Sequence, residues 1–297
     1  MPHTADIQAF FDTESHTFSY LIIDPVSREA AVIDPVLDYA HHVGLYSTAS
    51  ADAIIAAAQD MSANIAYVLE THVHADHLSS ASYIRDRTGA KLGIGEGIRE
   101  VQQIFRPMFN QDRRAVAQPD FDLLFMDGEV FPLGSLQIEV MHTPGHTPAC
   151  VSYRVGDAVF VGDTLFMPDY GTARTDFPGG CARTLYRSIQ RLLCLPEDTR
   201  LFMCHDYLPE TRMKYLWEST VAEQKTENIH INNSISETDF VRVRQERDAH
   251  LRAPELLLPS IQVNIRAGHL PDIEMGGFRY LKIPLKPANP DQDWPHD

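Results

Sequence analysis

The sequence has only four cysteines, Cys150, Cys181, Cys194 and Cys204, and no two of them form a C-x-x-C pair or fall at zinc-ribbon spacing. Cys150, Cys194 and Cys204 sit among apolar neighbours and read as small core residues. Cys181 follows Gly179-Gly180, and no catalytic role is expected of it. No apolar run approaches membrane-spanning length, so no membrane partner is expected. The opening Met1-Pro2-His3-Thr4-Ala5-Asp6 lacks the positive and apolar regions of a signal peptide, and a cytoplasmic enzyme fits. Positive charge is scarce, with 25 Lys and Arg against 41 Asp and Glu, a net −16. Such a surface repels phosphate backbones and argues against a nucleic-acid partner. There is no solenoid repeat and no low-complexity segment. What remains is an ordinary globular chain of 297 residues, one large domain or one domain with an extension.

The first apolar runs, Phe18 to Asp24 and Glu29 to Asp34, flank Pro25-Val26-Ser27-Arg28 and read as a β-hairpin. Ala51 to Met61 carries Ile54, Ile55 and Ala58 at helical spacing behind Ser50 as N-cap. Ile65 to Leu69 and Lys91 to Gly95 read as strands, and Gly97 to Phe105 as a helix. A helix over Leu78 to Arg87 is expected to begin directly after His77 and point its positive dipole end at the preceding loop. Arg106 to Phe121 reads as a surface loop. Strands follow at Leu123 to Asp127, Leu136 to Val140, Cys150 to Val155, Ala158 to Val161 and Leu201 to Met203. Thr184 to Leu195 places Leu185, Ile189, Leu192 and Leu193 on one helical stripe. Beyond Glu210 the chain turns polar, with helical character at Glu237 to Leu251 and a Pro-rich tail past Pro284. The expected division is a domain over 1–210 and an extension over 211–297 that packs on it or forms a subunit contact.

Chemistry enters where these strands end. Ile65 to Leu69 runs into His72-Val73-His74-Ala75-Asp76-His77, an H-x-H-x-D-H motif. Buried imidazoles and carboxylates are costly unless paired or bound to a cation. A metal meets that need, and these donors favour Zn, Fe or Mn over Ca or Mg. The second element is Thr143-Pro144-Gly145-His146, the third Gly162-Asp163, the fourth Cys204-His205-Asp206-Tyr207. Each follows an apolar run, as when rigid strands fix ligands on loops at one sheet edge. The other histidines lack that setting. His3, His41 and His42 read as surface residues, His16 as buried with a hydrogen-bond partner, and His142 is set aside in favour of His146.

This ordered set resembles the metallo-β-lactamase superfamily over about residues 7 to 210. The resemblance implies an α/β fold, a four-layered αβ/βα sandwich with a metal site at one edge and a C-terminal extension here. It also implies one metal site of His72, His74 and His146, a second of Asp76, His77 and His205, and Asp163 as the bridge. Two chemistries stay open on the ligands alone, metal-hydroxide hydrolysis of the glyoxalase II kind and oxygen chemistry at a single Fe(II).

The stretch Gly171-Thr172-Ala173-Arg174-Thr175-Asp176-Phe177, with His205-Asp206-Tyr207, Glu14 to Leu21 and Thr220 to Gln224, is similar to the persulfide dioxygenase family. That resemblance implies one Fe(II) per chain on His72, His146 and Asp163, with zinc as the competing metal. The reactants would be glutathione persulfide and O2, and the assembly a homodimer. His74, Asp76, His77 and His205 would orient ligands and a water in the catalytic site. Arg174 and Tyr207 would contact the substrate, and Tyr170 and Asp169 lie in the same loop. The chain departs from the family with Ala173 in place of a Cys, and with no Arg where the family places its glutathione-binding one, near His230, which is kept as a candidate substrate contact. Its segment Leu258 to Leu285 looks like that of bacterial β-lactamase hydrolase-like proteins, and Arg266 or Lys282 is the expected replacement for the Arg.

Overall fold

The computed structural model describes residues 4–110 and 120–285. His3, positions 111–119 of the expected surface loop and the end of the Pro-rich tail lie outside the described residues.

The chain opens with β1 (Asp6–Asp12), β2 (Thr17–Ile23) and β3 (Glu29–Ile33), an antiparallel meander. Next come β4 (Val36–Ala40), β5 (Leu45–Ser47), α1 (Ala49–Asp60), β6 (Asn64–Leu69), β7 (Leu78–Ser79), α2 (Ala81–Thr88), β8 (Lys91–Gly95), α3 (Ile98–Phe105) and β9 (Leu123–Phe125). Sheet one has the order β1-β2-β3-β6-β8-β9, with β3, β6, β8 and β9 parallel. Then follow β10 (Val130–Leu133), β11 (Leu136–His142), β12 (Val151–Val155), β13 (Ala158–Phe160), α4 (Ala182–Leu193), β14 (Arg200–Phe202) and β15 (Glu218–Thr220). These six strands form sheet two in sequence order. Last are α5 (Val221–Glu227), α6 (Glu237–Asp248) and α7 (Leu257–Asn264).

The period-2 alternation of β2 explains the layering. Phe18, Tyr20 and Ile22 enter the core between the sheets with Phe125, Tyr153, Phe160 and Phe202. Leu21 and Ile23 face the other way, onto Ile54, Ala81, Ile84, Ile98 and Val101 of α1 to α3. Sheet two does the same, with Val159, Val161, Leu201 and Met203 against Leu185, Ile189, Val221 and Phe240 of α4 to α6. The expected four-layered α/β sandwich is the result. Truncating an inter-sheet ring such as Phe160 to Ala costs about 3–5 kcal/mol.

Local readings differ in several places. The N-cap of α1 is Thr48, not Ser50, whose hydroxyl instead donates to Asp38 Oδ1 at 2.5 Å. The helix after His77 does not start at Leu78. Leu78 and Ser79 form β7, which pairs with β4 in a small third sheet, and α2 begins at Ala81. The small sheet completes with β5 and has no counterpart in the sequence reading. The expected boundary at 210 falls inside sheet two, whose edge strand is β15. Cys194 is exposed at the C-cap of α4 rather than in the core, because the helix stripe ends at Leu193. Cys150 and Cys204 are buried as expected, and burial pushes the Cys150 thiol up to about 12. Among the described residues no helix is long and apolar enough to cross a membrane.

Candidate metal centre

Both sheets deliver their loops to one end. Parallel strands β3 and β6 exit there at Asp34 and Glu70, and parallel β13 and β14 exit at Val161 and Met203. The loop after β6 brings His72 to His77, that after β11 brings His146, that after β13 brings Asp163, and that after β14 brings His205. His72, His146 and Asp163 each place a donor atom within 4.8 Å of the other two. The Nε2 atoms of His72 and His146 lie 3.8 and 3.7 Å from Asp163 Oδ2. Asp163 sits on a 3₁₀ turn, Gly162–Thr164. Gly162 has φ +53°, and a Cβ there would lie 2.5 Å from the Thr71 hydroxyl, so only glycine lets this turn press on the histidine loop.

Hydrogen bonds set the ring tautomers. His146 Nδ1–H donates to the Arg174 carbonyl at 2.8 Å, which leaves Nε2 as a lone-pair donor. His72 Nδ1 lies 3.0 Å from the Thr71 hydroxyl, which itself donates to Asp34 at 2.8 Å. His72 Nε2 and Asp163 Oδ1 are buried with no hydrogen-bond partner. Burial, followed by the charges of His74 and His146, holds the His72 pKa well below its ordinary value. Two imidazoles and one carboxylate, with donor atoms gathered within 4.8 Å, fit a divalent transition metal.

The remaining motif residues are engaged differently. His74 Nε2–H donates to Asp34 at 3.0 Å and to Glu70 at 3.1 Å, and its Nδ1 is buried without a partner. Burial opposes its protonation, but the Asp34 charge and hydrogen bond prevail and raise its pKa. His205 Nε2 lies 3.1 Å from Asp76 Oδ2 and 3.3 Å from Asp163 Oδ1. Its Nδ1 lies 3.2 Å from the His16 carbonyl and 3.3 Å from the Thr17 hydroxyl. Burial disfavours charge on His205, yet Asp76, Cys204 and Asp163 raise its pKa. His77 groups with His74 and Asp76, and His205 groups with His74 and Cys204. His16 itself uses its carbonyl here, while its ring Nδ1 is buried and unpartnered, contrary to the expected side-chain bond.

Sequence reasoning missed Asn264. This residue of α7 donates to the carbonyls of His74 at 2.9 Å and His77 at 2.8 Å, and accepts from the Ser79 N–H at 2.8 Å. Its carboxamide clamps the metal loop from a helix nearly 190 residues downstream. Gly268, at φ +79°, packs where a Cβ would lie 2.7 Å from the Ser79 carbonyl. Asp34 and Glu70 were also missed, although the strand exits that carry them were visible.

A cavity of about 1170 Å³ opens over the centre, with Asp76, His77, His146 and Asp163 at its base. Phe166, Tyr170 and Tyr207 form an aromatic wall, Tyr207 stacking on His205 with ring centroids 5.6 Å apart. Arg174, Tyr207, His230 and Ala173 line the cavity; Arg266 and Lys282 do not. The main chain of Lys282 exchanges hydrogen bonds with the Gln262 carboxamide of α7, and Arg266 follows the C-terminus of that helix. Arg174 forms a two-pronged pair with Asp176, both contacts 2.6 Å, and His230 Nδ1 accepts the Thr172 N–H at 3.1 Å. Asp169 is taken up by Arg212, which also holds Asp206. His41 and His42, read as surface residues, also line the cavity, His41 2.8 Å from Glu255. His142 is tied to the Phe125 carbonyl at 3.0 Å, away from the metal cluster.

A family model described as the metallo-beta-lactamase superfamily matches residues 12–220. The chain belongs to that superfamily. It is 52% identical to a probable metallo-hydrolase of Burkholderia pseudomallei, over 94% of this chain and 98% of that one. It is 48% identical to glyoxylase B2 of Dictyostelium discoideum, over 96% and 98%. Identity to the mitochondrial persulfide dioxygenase ETHE1 of Homo sapiens is 32%, over 88% of both chains. A β-lactamase hydrolase-like protein of Xylella fastidiosa is 46% identical, with 95% of this chain matched to 65% of that one. Among solved structures, ETHE1 from Myxococcus xanthus superposes with a TM-score of 0.71 at 29% identity, over 89% of this chain and all of that one. The relatives thus include both a persulfide dioxygenase and proteins named as hydrolases, on a metal-dependent scaffold.

Proposed function

We propose that the protein oxidises glutathione persulfide with O2 and water to sulfite and glutathione, using one Fe(II) held by His72, His146 and Asp163. What carries this reading is the Gly171 to Phe177 stretch, which lines the cavity at Thr172, Ala173 and Arg174 and holds His146 through the Arg174 carbonyl, together with 32% identity to ETHE1; two histidines and one carboxylate gathered within 4.8 Å accommodate it. In the overall reaction the S–S bond breaks and the terminal sulfur gains three oxygens, two from O2 and one from water. Glutathione and sulfite leave with two protons. The four electrons that O2 takes come from the persulfide, and Fe(II) held by His72, His146 and Asp163 would supply the redox-active centre at which the two react.

The chain's own residues do the rest. The Arg174 carbonyl and Thr71 hydroxyl hold the two imidazoles with Nε2 inward. Asp76, which lines the cavity and is ion-paired with the buried His205 at 3.1 Å, is placed to orient a water beside the persulfide sulfur. Phe166, Tyr170 and Tyr207 exclude bulk water from that floor. Arg174, Tyr207 and His230 line the path of the glutathione moiety. The reading includes a cytoplasmic homodimer, checked by light scattering of the full chain.

A second reading, a dinuclear thioester hydrolase, draws on His74 Nδ1 and His77 Nε2, which are also buried without partners, and on the hydrolase-named relatives. One experiment separates them. Anaerobically Fe(II)-loaded protein is given glutathione persulfide on an oxygen electrode, with sulfite assayed alongside. Matched O2 uptake and sulfite at one iron per chain supports the dioxygenase. No uptake at full iron occupancy, two metals per chain and turnover of S-lactoylglutathione would replace it with the hydrolase.

A further inference from the structure

The cavity must hold an anion if its substrate ends in carboxylates, yet its wall carries Asp12, Glu14, Asp38 and Glu255. A carboxylate entering there needs a cation that is not already neutralised. Three arginines line the cavity. Arg174 is committed to Asp176 through both prongs and donates Nη1 to the Arg252 carbonyl at 2.7 Å. Arg244 is buried, pairs with Asp248 at 2.7 Å and donates to the Thr172 carbonyl at 3.1 Å. Arg247 is exposed and, among the described residues, has neither an ion pair nor a side-chain hydrogen bond.

Arg247 is not a loose surface cation. It stands three residues after Arg244 on α6, so both project from one helix face, and both reach the cavity. That face is fixed to the loop carrying Arg174. Asp248 accepts the Thr175 N–H at 2.8 Å and its hydroxyl at 2.9 Å, and Arg244 ties to Thr172. His230 cannot serve as the cation, because its Nδ1 accepts the Thr172 N–H and so carries a lone pair. His230, near which the substrate cation was expected, and Arg247 line the same cavity.

We infer that Arg247 anchors a carboxylate of the substrate, so that the cavity selects thiol carriers ending in a carboxylate. The planar guanidinium can take both carboxylate oxygens, and no partner has to be displaced first. This rests on the cavity being the substrate chamber of the proposed reaction, and supplies the cation that neither Arg266 nor Lys282 provides.

The test is a calorimetric titration of metal-loaded protein with S-methylglutathione, which has neither a persulfide nor a thioester and is not turned over. Its dimethyl ester is titrated in parallel. Wild type is expected to bind the acid at least about tenfold more tightly than the ester. In Arg247→Gln the acid should weaken by about tenfold or more while the ester is unchanged, with Arg247→Lys between. Metal content and far-UV circular dichroism confirm that the variants fold. Equal acid binding by wild type and Arg247→Gln, or no preference for the acid in wild type, overturns the inference. Because no turnover is read, failure of the O2 assay would sink the dioxygenase reading while leaving an Arg247 effect standing. A persulfide dioxygenase whose acid binding ignores Arg247 would sink only the anchor.

Discussion

The two ends of the sandwich treat buried polar groups in opposite ways. At the end where β2 turns into β3, the Asp24 carboxylate is fully buried and accepts from the N–H and hydroxyl groups of both Ser27 and Ser135 and from the Val26 N–H. Burial opposes its ionisation, but those bonds outweigh it and hold its pKa far below the usual carboxylate range. At the other end, His72 Nε2 and His77 Nε2 are buried with no hydrogen-bond partner, and His205 Nε2 and Asp163 Oδ1, also without a hydrogen bond, meet as an ion pair at 3.3 Å that His205 shares with Asp76. Both ends join the two sheets, and both use a carboxylate at a strand exit. One is closed by its own donors and gives stability. The other is left open at a cost that a bound cation offsets, and this marks it as the reactive end.

The sharpest way to break this contrast is Asp163→Ala. Iron content should fall below one-tenth of wild type and persulfide-dependent O2 uptake by about a thousandfold or more, with thermal stability of the metal-free protein little changed. Retained iron and turnover would remove Asp163 from the centre. The converse is Asp24→Ala, which should cost about 2–4 kcal/mol in urea unfolding while leaving iron stoichiometry at wild type. Because the folded-state pKa of Asp24 is depressed, this contribution is present above the ordinary carboxylate range and fades as pH falls through it; the variant should therefore show a flatter acid limb.

Asn264→Ala tests whether the C-terminal helix belongs functionally to the open end. The fold should survive, and iron affinity should weaken by about 10–100-fold in a chelator competition, since two carbonyls and one N–H of the metal loop lose their partner. Unchanged affinity would make the clamp purely structural. The smallest effect is expected at His230, whose pKa is lowered from 6.5 to about 4, by burial first and then by Arg247 and Arg244. With the folded value below the unfolded one, its contribution to stability is full above about 6.5 and is lost as pH falls toward 4. His230→Asn keeps an acceptor for the Thr172 N–H and should reduce the loss of melting temperature between pH 7 and pH 5. An identical slope in both proteins would refute that assignment.

Much of the open end was legible in the residues. Apolar runs ending in His72, His146, Asp163 and His205 announce loops at a sheet edge, because strand periodicity and costly buried donors are local properties. The alternation in β2 likewise announces a two-faced strand. The β7 pairing with β4 and the fate of Ser50, bound to Asp38, were not legible, since each depends on a residue of another element.

The sequence by itself determined which chemistry is available: the donor types, their order and the strands that carry them. Only the tertiary structure decided which donors meet, that Asn264 holds the loop, that Arg174 is already paired and that Arg247 is not. The physical reason is range. Backbone preference and hydrophobic period act over a few residues, whereas a hydrogen bond such as that from Asn264 to the His74 carbonyl exists only after two distant segments have packed.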